Sequence, residues 1–123
     1  MKTIGIDISK KTFDVFSEDL GHLKFSNNKE GFKAFKKLLS KDDHSVMEAT
    51  GCYHIQFANY LYERGFKVSV ENPLVIKRFI QMKKQKVKTD KHDALMIAKY
   101  GEEQKPKLWE PEPAFIEEGK LIT

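Results

Sequence analysis

One cysteine, Cys52, occurs in 123 residues. A single thiol closes no internal disulfide, so this is no stapled secreted scaffold, and a reducing cytoplasm is the expected compartment. Long apolar runs are lacking too. None approaches the roughly 20 residues that cross a bilayer, so no membrane partner is expected. The opening "MKTIGIDISK" has no apolar h-region, and no signal peptide is expected from it. His22, His44, His54 and His92 are scattered, with no Cys/His spacing that would suit zinc. Proline is scarce, and three of the four fall in "KPKLWEPEPAFIEEGKLIT". That stretch has no clear period, and residues 105–123 read as an extension or the start of a linker; Trp109 and Phe115 within it are expected to pack onto the domain or onto a further part. No internal repeat or low-complexity segment appears.

What is there is enough for one hydrophobic core. Hydrophobic residues make up 40% and charged residues 33%, the balance of a somewhat polar globular domain. The net charge of +4 is modest, but its distribution is uneven. From Lys77 to Lys91 there are seven Lys/Arg residues and one acid, Asp90; from Glu102 to Glu118 there are six glutamates against two lysines. A basic segment beside an acid-bearing core can meet phosphates, and equally can be a solvated loop.

Periodicity divides residues 1–104 into a mixed α/β domain. "KTIGIDIS" alternates and reads as a strand ending near Asp7; "KTFDVFSED" and "HLKFS" follow as strands joined by tight turns, an antiparallel meander. Asn27 or Asn28 can cap a helix "KEGFKAFKKLLSK", with Phe32, Phe35, Leu38 and Leu39 on one face. "HSVMEAT" is a fourth strand ending at Glu48. "YHIQFANYLYERG" is a second helix stopped at Gly65, and "FKVSVEN" a fifth strand. Pro73 opens a third helix, "PLVIKRFIQM". The lysine-rich residues 83–88 have little to bury and read as a mobile loop, and "DKHDALMIAKYG" is a fourth helix ended by Gly101. The expected architecture is a mixed five-stranded sheet flanked by helices on both faces.

Four carboxylates could share chemistry in such a fold. Asp7 and Glu48 end strands, where functional groups gather in parallel-type sheets. Asp90 and Asp93, one helical turn apart, share a face at about 5–6 Å. Brought together, these acids would repel unless divalent cations neutralised them, and oxygen ligands suit Mg²⁺ or Mn²⁺. Two such ions can work on a phosphodiester. Taken singly, Asp90 and Asp93 serve equally as helix-capping acids and Asp7 as a strand end. Spacing permits convergence without requiring it.

The blocks "IGIDISKKTFDV", "VMEATGCYH", "VENPLVIKRF" and "KTDKHDALMIAKYG", in this order, resemble the N-terminal domain of the DEDD transposases, the insertion-sequence-110 family that includes the Piv-type DNA invertases. The resemblance runs from about residue 2 to about residue 113. It implies an RNase H-like core similar to that of the Holliday-junction resolvase RuvC. It also implies that Asp7, Glu48, Asp90 and Asp93 are the catalytic metal ligands, for Mg²⁺ or Mn²⁺ and two ions. DNA is the implied substrate, cut and transferred during transposition or site-specific recombination, with a structured guide RNA in some members and a homo-oligomer in the full-length enzyme. Lys10, Lys77, Arg78, Lys83, Lys84, Lys86 and Lys88 would contact nucleic-acid backbone, and Gly51 would let a phosphate approach. Family members are longer and carry a C-terminal domain with a serine thought to be the nucleophile; no serine here matches it. The expectation is therefore metal-binding machinery without complete recombination activity. A nucleic-acid-binding module without catalysis, or an inactive transposase remnant, is the alternative. A sugar-kinase or actin-type ATPase half, suggested by "GIDIS", would need a second half and a glycine-rich nucleotide loop that this sequence lacks.

Overall fold

The computed structural model describes residues 2–49, 51–84 and 93–111. In chain order these form β1 (Thr3–Ile8), β2 (Thr12–Ser17), β3 (Gly21–Ser26), α1 (Lys29–Lys36), β4 (His44–Glu48), α2 (Ile55–Glu63), β5 (Lys67–Glu71), α3 (Pro73–Lys84) and α4 (Asp93–Gln104). The strands make one sheet in the order β3-β2-β1-β4-β5. β1 pairs antiparallel with β2 and β2 with β3, whereas β4 runs parallel to both β1 and β5. This is the RNase H-like arrangement that the resemblance implies, with helices on both faces.

Alternation sets the two faces. Ile4, Ile6 and Ile8 of β1, with Phe13 and Val15 of β2, point to one side and are buried under Phe32 and Phe35 of α1 and Phe57 and Leu61 of α2. Phe13 is the hub of this layer, with ring centroids 4.3 Å from Phe57 and 5.4 Å from Phe25. Val46 points to the other side, against Ile76 and Phe79 of α3 and Ile97 and Tyr100 of α4. Asn28 caps α1 by accepting from the Gly31 amide at 2.9 Å, and Gly65 follows α2 at φ +83°.

Several element ends differ from the sequence expectation. α1 stops near Lys36, because Leu38 and Leu39 turn back to Phe35 and Lys36 in tighter bonds. Leu38 is therefore exposed, not in the core. α3 continues through Lys84, two residues into the lysine run. Gly101 does not end α4; it lies within it, because a Cβ there would come within 2.7 Å of Val46 and 2.8 Å of Thr3. Its role is close packing. Gln104 is the last helical residue, and Lys105 takes φ 46°.

Residues beyond α4 return to the sheet. The Trp109 amide donates to the Val68 carbonyl at 2.7 Å, and its ring meets Tyr62 edge-on at 6.1 Å. Trp109 thus packs on the domain as expected; Phe115 lies outside the described residues. Beneath this segment is a buried relay. Ser69 Oγ donates to the Lys107 carbonyl at 2.6 Å, so its single proton is committed and His44 Nε2, 2.7 Å away, is the donor to Ser69. Burial, aided by the Lys67 charge, holds His44 below its ordinary pKa of 6.5. The unfolded chain therefore takes up the proton first as pH falls. Stability present above about pH 6.5 declines as pH drops through that value toward the folded pKa. Thermal midpoints should fall on acidification from about pH 7 to about pH 5.5. His44→Gln, which keeps a donor, should flatten that dependence; an unchanged pH slope would refute the relay's role.

Candidate functional site

Strand register builds the site. Asp7 and Asp14 are directly paired across β1 and β2, and Glu48 and Glu71 across β4 and β5. The β1–β4 ladder pairs Ile6 with Met47, so one residue further Asp7 and Glu48 come abreast. Asp7 is two residues past Gly5, and Glu48 two past Val46, so both belong to the face that α4 covers. Asp14, Asp7, Glu48 and Glu71 thereby form one row across four neighbouring strands. Asp7 and Glu48 are half-buried.

Helix α4 is laid antiparallel to β1 by two close approaches. A Cβ on Gly5 would overlap the Ala94 carbonyl and the Ala98 amide, while Gly101 sits against Thr3. Passing from Ala94 to Gly101 therefore moves backwards along β1, and the start of the helix points past Gly5 toward Asp7, about 7 Å further along the strand. Asp93 opens α4 at that end, where the positive end of the helix dipole faces the carboxylate row. Only the backbone of Asp93 is described, and Asp90 lies outside the described residues. Among the described residues, no three His, Cys, Asp or Glu side chains stand together as a metal site.

The outer acids of the row are engaged by the fold. Asp14 lies 3.8 Å from Lys24 Nζ and 3.7 Å from His22 Nε2. Glu71 accepts from the Tyr100 hydroxyl at 2.6 Å and from the Asn72 amide at 2.8 Å. Burial first, then the hydrogen bond and charge of Glu71, push the Tyr100 hydroxyl up to about 12. This bond ties α4 to the end of β5, beside Glu48. Tyr100→Phe should remove about 1–2 kcal/mol of stability by leaving Glu71 short of a donor. In a spectroscopic pH titration it should also delete the tyrosine that ionises near 12. A wild-type curve from the variant would refute the assignment.

The basic residues divide between two ends of the molecule. Lys10 is exposed in the turn just after β1, at the carboxylate end of the sheet. Gly51, at φ +56°, follows Glu48 closely and is exposed, and a Cβ there would meet nothing nearer than the Tyr53 ring at 4.0 Å. Lys77 and Arg78 are exposed along α3. Lys83 is bound to Glu103 at 3.1 Å, at the end of the α3–α4 pair remote from Asp7. Of Lys84 only the backbone is described, and Lys86 and Lys88 lie outside the described residues.

Sequence reasoning overlooked Asp14, Glu71 and Tyr100. Glu71 ends "KVSVEN" much as Glu48 ends "HSVME", a repeated strand-end acid that was available as a signal. Asp14 alternates with the core residues Phe13 and Val15, and so had to face away from them. Tyr100 gave no such sign, since only the helix crossing brings it to Glu71.

The fold agrees with comparison to known proteins. The chain is similar to the pilin gene-inverting protein of Moraxella bovis, 35% identical over 117 residues that cover 88% of this chain and 36% of that protein. The pilin gene-inverting protein of Moraxella lacunata matches with the same identity and coverage. The chain thus spans little more than a third of these relatives' length. The family model of the insertion-sequence-110 transposases with the D-E-D-D acid pattern matches residues 4–118. The chain belongs to the DEDD transposase family.

Proposed function

We propose that this chain is the catalytic N-terminal domain of a transposase or DNA invertase, acting on DNA phosphodiesters with Mg²⁺ or Mn²⁺. The observation that supports this reading is the register that sets Asp7 abreast of Glu48, with α4 beginning over the same end of β1. These residues supply oxygen donors only, the set suited to hard divalent ions. Asp7, Glu48, Asp90 and Asp93 would hold two ions. When bound, these would activate a nucleophile and stabilise the leaving oxygen. The chain's own part is placement. Glu71 and Tyr100 anchor α4 beside β4, and Gly5 admits it to contact with β1. Lys10 stands at the same sheet end to meet the backbone phosphate.

The remaining parts of the reading rest on the family. Cutting and rejoining in a complete recombinase, a structured guide RNA and a homo-oligomeric assembly would involve the part of its relatives that this chain does not span. A cytoplasmic location is part of the same proposal, and the exposed free thiol of Cys52 is compatible with a reducing compartment. Calorimetric titration of Mg²⁺ and Mn²⁺ tests the core of the proposal, followed by chelator-controlled cleavage of branched DNA. Metal binding with metal-dependent nicking is the expected result. DNA binding that is indifferent to metal and to chelator would instead make the chain a non-catalytic binding module.

A further inference from the structure

The face of the sheet opposite the carboxylate row holds a second feature that the catalytic reading does not use. Between α1 and α2 lies an open cleft of about 470 Å³ lined by the rings of Phe32 and Tyr60, with Lys29, Lys33, Arg64, the amides of Gln56 and Asn59, and one carboxylate, Glu63, around them. Both helices start at the sheet end that carries Asp7. Lys29 and Gln56 therefore mark the top of the cleft, and Arg64 its bottom. The Arg64 guanidinium is stacked over the Tyr60 ring, 3.6 Å from its centroid, and its Nη1 donates to the Tyr60 carbonyl at 3.2 Å. It is held in place with donors to spare.

The rim of the sheet joins this cleft to the carboxylates. Asn27, just before α1, donates its amide to the Lys11 carbonyl at 2.8 Å. Its side chain donates to the Ser9 carbonyl at 2.9 Å and to that of Tyr53 at 3.4 Å. The Ser9–Lys10–Lys11 turn, the head of α1 and the approach to α2 are thus pinned at one corner. Lys10 and Lys11, both exposed, stand between Asp7 and Lys29. Some cations elsewhere are neutralised by the fold, Lys2 by Asp43, Lys24 by Asp14 and Lys83 by Glu103, while others, such as Lys77 and Arg78 on α3, lie away from this line. Among the described residues, Lys10, Lys11, Lys29, Lys33 and Arg64 make no ion pair. A line of cations that make no ion pair, with amide donors and the rings of Phe32 and Tyr60 interleaved, has the chemistry of a phosphodiester track.

We propose that the α1–α2 cleft binds the backbone of the DNA strand that leaves the carboxylate row, carried over the Lys10–Lys11 turn. This rests on the DNA-processing reading and adds a second contact surface on the other face of the sheet. DNA is favoured because the track is continuous with the row that would hold the scissile phosphate. The cleft contributes affinity and direction and no sequence preference, because backbone contacts carry none.

Binding of fluorescent duplex DNA, single-stranded DNA and an RNA hairpin to the intact chain, across a salt series, tests this. Lys29→Gln/Lys33→Gln should weaken DNA binding about tenfold or more near physiological salt and reduce the salt slope by about two. Lys36→Gln/Lys37→Gln, with the same loss of charge at the other end of α1, should change both much less. In the unmodified chain, DNA should slow acetylation of Lys29 and Lys33 more than that of Lys36 and Lys37, a readout that needs no variant to fold. DNA binding unaffected by the cleft pair, or equally affected by the two pairs, would overturn the cleft while leaving the catalytic reading intact. A cleft dependence seen with the RNA hairpin alone would overturn the assignment to DNA. A wild-type chain that binds no nucleic acid would overturn both readings.

Discussion

Asp7→Asn should eliminate the response of this protein to divalent metal. A ligand at about ten times its Kd stabilises a folded protein by about 1.4 kcal/mol. For a domain of this size that is about 5 °C in midpoint. Wild type should show that shift with Mg²⁺ or Mn²⁺, Glu48→Gln should show little of it, and Asp7→Asn none. Where the domain is joined to the remainder of a transposase, strand cleavage should fall about a thousandfold or more. Metal contributes several kcal/mol of transition-state stabilisation, and about 4 kcal/mol is three decades in rate. Asp14→Asn is the discriminating control. It is paired with Asp7 in the same row, but Lys24 and His22 already face its carboxylate. Its loss should leave the metal response in place. Equal metal shifts in wild type and Asp7→Asn would sink the catalytic proposal.

Gly5→Ala should be one of the most damaging added methyls among the described residues, with Gly31→Ala, which would overlap the Ser26 backbone, beside it. The Cβ added at Gly5 would overlap backbone atoms of Ala94 and Ala98, and neither can rotate aside as a side chain would. Helix α4 must then lift from β1, opening the contact with Ile97 and Tyr100 behind it. Overpacking of this kind costs about 3 kcal/mol. Because the start of α4 moves with it, metal binding should weaken together with stability. Gly101→Ala presses only on the methyl groups of Val46 and Thr3, which can give, and about 1 kcal/mol is expected there. Denaturant midpoints rank the two. A Gly5→Ala midpoint equal to wild type would mean that α4 is not seated as described.

The contrast between these glycines shows where sequence reading reaches its limit. Alternation in "TIGIDI" and "TFDVFS" identifies the strands and the inward set of isoleucine, phenylalanine and valine, because a period of two is imposed by the backbone. The same alternation puts Asp7 on the face away from that core. It does not reveal what covers that face. Gly101 looks like a helix stop when only neighbours in sequence are considered, and becomes a packing position once Thr3 and Val46 are opposite it. Leu38 fits the apolar stripe of α1, yet the helix ends before reaching it. Tyr100 reads as one more apolar contact in "ALMIAKY" until the packing of α4 on the sheet brings its hydroxyl to Glu71 at the end of β5. Local pattern carries the elements, and the carboxylates at strand ends carry half of the site. The pairings that lock α4 depend on contacts 29 residues or more apart in sequence.

The segment that follows α4 has a consequence for assembly. By donating to Val68 and receiving from Ser69, residues 107–109 occupy part of the open side of β5. The opposite border, β3, is six residues long and projects His22 and Lys24 outward. A covered border and a charged one are two of the means by which a sheet refuses a stranger's strand. Among the described residues, each border of the sheet thus carries a guard against edge-to-edge aggregation of one copy on another.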